Sequence, residues 1–259
     1  KNVILFLGDG MGISTVTAAR IYAGQLQGAT GEEYSLAFET FPNLALIKTY
    51  NSNSQVPDSA GTISAILTGE KTGIGVSGIT SNVARDDCAA ALANTLPTIA
   101  EMAEDAGMAT GVVSTARITH ATPAGAFAHT PNRDWEDSTS TPDEAEALGC
   151  MDIAQQMIQM PNGDGLDVIL GGGRGQFLPT SESDPEYPKK SGKRDDGRNL
   201  IEEWLAEDAT RQYVWNGEGF AALASKQGKI MGQVMGLFEP SHMKFDTDRT
   251  EDPGTEPSI

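Results

Sequence analysis

The chain has 259 residues and a mass of 27.3 kDa, with 18 basic against 36 acidic residues, a net charge of −18 and a pI near 4.4. Such a surface repels nucleic acid and anionic membranes and excludes nucleic acid as a specific partner. No apolar run approaches the ~20 residues needed to cross a bilayer, which excludes a transmembrane segment. The length suits one large α/β domain over residues 1–259 with a sizeable core. The charge balance suits solubility at high salt, as in a marine or halophilic setting. Lys1-Asn2 leads directly toward an apolar run with no signal-peptide pattern, as in a mature or a cytosolic chain. Cys88 and Cys150 read equally as two buried thiols or as a bridge closing a loop of about 60 residues, which would contribute roughly 4 kcal/mol in the chain-entropy picture.

Val3 to Leu7 is a continuous apolar run, expected to be a strand buried on both faces. It runs into G-D-G-M-G, which places Asp9 at the strand's carboxyl end, where ligands bind in open α/β sheets. The spacing G-x-G-x-G differs from the dinucleotide fingerprint and puts a carboxylate where a pyrophosphate would lie, so a metal fits better. A helix with Val16, Ala19, Ile21 and Tyr22 among its apolar positions follows. Asn43 to Thr49 reads as a second strand, and a polar loop leads to V-P-D-S-A-G-T-I-S-A-I-L. Pro57 ends the preceding element, and Ile63, Ile66 and Leu67 recur at helical spacing. Ser59 therefore stands at a helix N-terminus, where free N–H groups and the macrodipole favour an alkoxide or an attached phosphate. Its plainer reading is an N-cap.

Leu96 to Ala106 reads as an amphipathic helix stopped by Gly107. T-G-V-V-S-T then forms a strand, beyond which His120 and Thr122 lie two apart, pointing the same way if the segment is extended. Arg133 in N-R-D-W offers a fork able to hold two phosphate oxygens, against the plainer reading of a surface ion pair. Further on come a helix around Ile153 to Ile158, the strand D-V-I-L, the run G-G-G-R, a helix around Leu200 to Leu205, M-G-L-F-E-P near Phe238, and a final loop-like stretch. Strands alternating with helices argue for a mostly parallel sheet covered on both faces.

Taken in order, G-D-G-M-G, D-S-A-G-T, T-H-A-T-P-A-G-A-F-A-H and N-R-D-W closely resemble the alkaline phosphatase family. The likeness continues through D-V-I-L-G-G-G-R, D-P-E-Y-P, D-G-R-N-L, Y-V-W-N and M-G-L-F-E-P, and is closer to the animal-type branch. The resemblance implies a three-layer α/β sandwich and hydrolysis of phosphate monoesters to inorganic phosphate through a phosphoserine. By position it makes Ser59 the nucleophile and a metal ligand, and Asp9 a carboxylate shared between zinc and magnesium. His120 and Thr122 become magnesium-shell ligands, and Arg133, oriented by Asp58, holds the phosphate oxygens.

Cys88 and Cys150 fall where the animal-type branch has a disulfide. Glu186, Phe238, Glu239 and Asp252 align with its additional calcium site, with the spacing at Asp252 differing by one residue; solvated acidic loops are the alternative. The family's later motifs, V-E-G-G-x-I-D-x-x-x-H and T-A-D-H, do not occur, and of the three histidines His129 and His242 match no ligand. The resemblance thus implies the N-terminal portion of a longer domain, active only with its C-terminal half, in a periplasmic or secreted homodimer. A sulfatase-like esterase of the same superfamily would need a C-x-P-x-R or S-x-P-x-R segment, which D-S-A-G-T lacks. A non-catalytic metal- or phosphate-binding fragment is the remaining alternative.

Overall fold

A computed structural model describes residues 2–225 and 232–258. Two compact units are present, residues 1–49 and 50–259. In the first, the glycine-rich turn leads into helix α1 (Ile13–Leu26), as its apolar periodicity predicts. Arg20 donates to the Glu32 carbonyl at 2.8 Å, and Gly31, at φ +99°, lies so close to Ile21 that a Cβ would meet its carbonyl oxygen at 2.3 Å. The two strands expected in this unit are absent among the described residues. Residues 3–7 and 43–49 have no ladder partner, and Val3, Phe6, Leu44 and Leu46 are all at least 81% exposed. A strand buried on both faces needs a neighbour on each side, and apolar content alone does not supply one.

The second unit begins its regular structure with α2 (Ser59–Thr68), capped by Asp58 and ended by Gly69 in the left-handed region at φ +80°. Two short helices follow, α3 (Cys88–Leu92) and α4 (Ile99–Asp105). Leu96 lies outside α4 because Pro97 disfavours helix in the residue before it; Thr98 and Glu101 close the N-terminus in a reciprocal capping box. Then come β1 (Gly111–Arg117), α5 (Ala121–Ala124), α6 (Asp143–Ala147), α7 (Ile153–Ile158), β2 (Val168–Gly172), α8 (Leu200–Glu207), β3 (Gln212–Val214), α9 (Gly217–Ala224) and β4 (Val234–Leu237).

The strands form one parallel sheet in the order β1-β2-β4-β3. Alternation along the strands decides which helices each face buries. Ile169 of β2 and Met235 and Leu237 of β4 join Ile153 and Met157 of α7 and Leu200 and Trp204 of α8 in the main core. The neighbouring Leu170 and Val234 pack instead with Phe220 and Leu223 of α9. Helices thus cover both faces of a parallel sheet, as expected. The carboxyl ends of β1, β2 and β4 all lead into loops that carry candidate site residues. Cys88 and Cys150 are bridged, with 6.0 Å between their Cα atoms, and pack with Trp135 and Ala145. No helix among the described residues is long and apolar enough to cross a membrane.

Candidate active site and carboxylate cluster

Asp58, not Ser59, is the N-cap of α2: its backbone is extended, and its carboxylate accepts from the N–H groups of Ala60 and Gly61 at 3.3 and 3.2 Å. Ser59 is consequently the first helical residue and is half-buried. Asp58 also accepts from the Asn51 amide at 2.7 Å. Burial alone would raise the Asp58 carboxyl. The Gly75 and Gly61 N–H groups, Asn51 and Arg133 together outweigh burial and hold it below the ordinary aspartate range.

Arg133 binds the cluster together. Its Nη1 donates to Asp58 Oδ2 at 3.1 Å and to Ser59 Oγ at 3.3 Å, while Nη2 donates to His120 Nε2 at 3.2 Å. Its backbone N–H donates to the Gly75 carbonyl at 2.9 Å. Because a guanidinium only donates, His120 Nε2 accepts and the proton resides on Nδ1, which is buried without a hydrogen-bond partner. Burial first, then the positive charges of Arg133 and Arg117, push His120 below the usual histidine range, with Glu136 pulling the other way. The ring is therefore the neutral imidazole that a divalent metal requires.

His120 caps α5 with an extended backbone, whereas Thr122 lies inside that helical turn. The two side chains therefore do not share one face of an extended segment as the spacing suggests: Pro123 sits in the first turn, where its missing N–H costs nothing. Asp9 lies exposed in the turn between residues 8 and 10 of the first unit.

Sequence reasoning passed over the groups behind His120. His242 stacks edge-on against it, with centroids 5.3 Å apart, and Arg117 pairs bidentately with Glu136 at 2.8 and 2.6 Å. Thr119 donates to Glu136 at 2.6 Å. His242 lies over a hundred residues from Arg117 in the chain, so no local pattern reveals the cluster.

The second cluster gathers carboxylate oxygens of Glu186, Glu239 and Asp252, all within 4.8 Å of one another. Arg174, from the G-G-G-R run, is fully buried and donates to Asp184 at 2.8 and 2.7 Å and to Glu186 at 3.0 Å. It thereby sets where Glu186 stands. Tyr187 and Lys244 hold Glu239 at 3.0 and 3.2 Å, and the Glu256 N–H donates to Asp252 Oδ2 at 2.8 Å. Asp252 Oδ1 is buried and has no hydrogen-bond partner.

Burial, with Asp252 and Glu239 adding to it against the pull of Arg174, raises Glu186 to about 7. Burial and Asp252 likewise raise Glu239. Phe238 directly follows β4 with its ring buried against Phe220, so its carbonyl is the group it can offer. Three crowded carboxylates with an orphaned oxygen and a nearby carbonyl fit a hard divalent cation.

The alkaline phosphatase family profile matches residues 1–259. The chain is 44% identical over 264 residues to an alkaline phosphatase of Gadus morhua, and 45% identical over 265 residues to the tissue-nonspecific alkaline phosphatase isozyme of Gallus gallus. These alignments cover all of this chain and 54% and 50% of the two relatives, so the chain spans about half their length. Among solved structures, the alkaline phosphatase of Thermus thermophilus superposes with a TM-score of 0.62 at 27% identity, over 89% of this chain and 38% of that one. With the profile spanning its whole length over this fold, the chain belongs to the alkaline phosphatase family.

Proposed function

We propose that these residues contribute the nucleophile and the phosphate clamp of a metal-dependent phosphomonoesterase. The observation that carries the reading is Arg133 Nη1 shared between Ser59 Oγ and Asp58 Oδ2 at the start of α2. Asp58, kept ionised, fixes the arginine and caps the helix. The guanidinium and the first free N–H groups then face the equatorial oxygens of a phosphoryl group transferred to Ser59. Attack by Ser59 Oγ on phosphorus breaks the bond to the leaving oxygen and forms a phosphoserine. Attack by water then releases inorganic phosphate and restores the hydroxyl.

Zinc and magnesium would be held in the second unit by Ser59, His120 and Thr122 with further ligands from elsewhere in the full-length protein; bound there, they would lower the serine pKa and stabilise the leaving oxygen. The neutral ring of His120 supports that role, with the Nε2 lone pair that accepts from Arg133 as the atom it would offer a metal. Calcium would sit among Glu186, Glu239, Asp252 and the Phe238 carbonyl, as a structural ion. Family membership and the bridged cysteines support a periplasmic or secreted location and a homodimer.

The test is hydrolysis of a chromogenic phosphate ester by the full-length protein, with and without chelator, beside a sulfate ester. Chelator-sensitive release of phosphate is expected. Turnover of the sulfate ester alone would favour the sulfatase reading. No turnover of either by the metal-loaded protein would leave a binding role.

A further inference from the structure

His129 enters no ligand set, yet it lies on the path between the main core and the phosphate clamp. Its side chain is 18% exposed, and both ring nitrogens are engaged. Nδ1 lies 2.8 Å from the Gly78 carbonyl oxygen, and Nε2 lies 2.7 Å from Glu101 Oε1. A carbonyl can only accept, so Nδ1 carries a proton. An ionised carboxylate can only accept, so Nε2 carries one too. In the α4 capping box the other Glu101 oxygen accepts the Thr98 N–H at 2.7 Å, so both carboxylate oxygens are placed as acceptors. Glu101 is the charged group that faces the ring; the side chain on the neighbouring α7, Gln156, is neutral and accepts the His129 N–H at 2.8 Å.

Resting on the phosphatase reading above, we propose that His129 is a doubly protonated imidazolium and the positioning residue for Arg133 and Asp58. The coupling is contiguous. Gly78, at φ +64°, approaches so closely that a Cβ would meet His129 Nδ1 at 2.7 Å and the Ala128 carbonyl oxygen at 2.5 Å. Its N–H donates to Ser64 Oγ on α2 at 2.9 Å, so the turn is tied to the helix that bears Ser59. Ser77 and Thr130 exchange backbone hydrogen bonds at 3.0 and 2.9 Å. Three residues before Gly78, Gly75 offers its carbonyl to the Arg133 N–H and its own N–H to Asp58. A neutral ring would lose one of its two acceptors and loosen the 75–78 turn beneath the clamp. Burial opposes the ring's charge, and Glu101 with the Gly78 carbonyl overcomes it, raising His129 above the usual range.

The test is a 15N-histidine and amide NMR titration of the metal-loaded full-length protein and its Glu101→Gln variant, beside kcat/KM for a chromogenic phosphate ester. In the unsubstituted protein both His129 nitrogens should give imidazolium-type signals at about pH 7.5. In Glu101→Gln, which keeps a capping side chain, the His129 pKa should fall by at least about one pH unit. The Gly75 and Arg133 amides, and kcat/KM, should then follow that titration. A neutral ring in the unsubstituted protein at about pH 7.5, or Gly75 and Arg133 amides indifferent to His129 in the variant, would overturn the proposal. Since these signals do not depend on turnover, an inactive protein with the expected titration counts against the phosphatase reading and not against this one.

Discussion

Two groups of acidic residues in the second unit meet burial in opposite ways. Asp58 is surrounded by donors, from two glycine N–H groups, Asn51 and Arg133, and is held below its ordinary range. Glu186 stands among Asp252 and Glu239 with Arg174 as its cationic partner, and is raised to about 7. The same functional group is thus satisfied in one place and left short of positive charge in the other. The contrast underlies the proposed roles: donors converging on Asp58 and Ser59 would suit an incoming phosphate, and unbalanced carboxylates an incoming cation.

The largest expected effect breaks the first cluster. Arg133→Ala in the full-length protein should lower kcat/KM for a phosphate monoester by about 10²–10³-fold, the cost of one donor aimed at developing charge. Arg133→Lys should recover part of it, because a lysine cannot engage Asp58, Ser59 and His120 at once. Steady-state kinetics measure both.

A smaller effect sharpens the second cluster. Because the folded pKa of Glu186 lies above its unfolded value, folding takes up a proton between about pH 4.5 and about pH 7. The metal-free protein should therefore lose stability as pH rises through that window. Calcium should reverse the trend, raising Tm more at about pH 8 than at about pH 5. Thermal melts with calcium or chelator at both pH values decide it, and equal calcium shifts would contradict the cage.

The smallest expected effects carry opposite signs. Asp58→Ala removes the α2 cap and should destabilise the metal-free protein by about 1–2 kcal/mol. Asp252→Asn relieves like-charge crowding and should leave it unchanged or stabilise it at about pH 8, while abolishing the calcium response. Denaturant unfolding of the two variants compares them directly.

Much of the fold was legible because periodicity marks it. The apolar positions of α1, α2, α7 and α8 sit on helices where expected, and the apolar run into D-V-I-L-G-G is β2. The runs at 3–7 and 43–49 misled because a buried strand is defined by neighbours, which local composition does not contain. β3 has only three residues, and α9 opens on Gly217 and Gly219, which are poor helix formers, so neither stood out. At the site, motif resemblance located Ser59, Asp58, His120 and Arg133, and the structure brings these four together. It could not reveal His242 beside His120, or Arg174 setting the position of Glu186, since these contacts join residues distant in sequence. The assignment of Ser59 as a cap failed for a local reason: Asp58 immediately before it is an equally good cap and takes the position.

The central claim, that the Ser59 hydroxyl receives the phosphoryl group, is tested most directly by acid-quenching the metal-loaded full-length protein during turnover and mapping the labelled residue by peptide mass spectrometry. The account predicts phosphate on Ser59, and neither label nor turnover in Ser59→Ala. Phosphate on another residue, or normal turnover by Ser59→Ala, would contradict it.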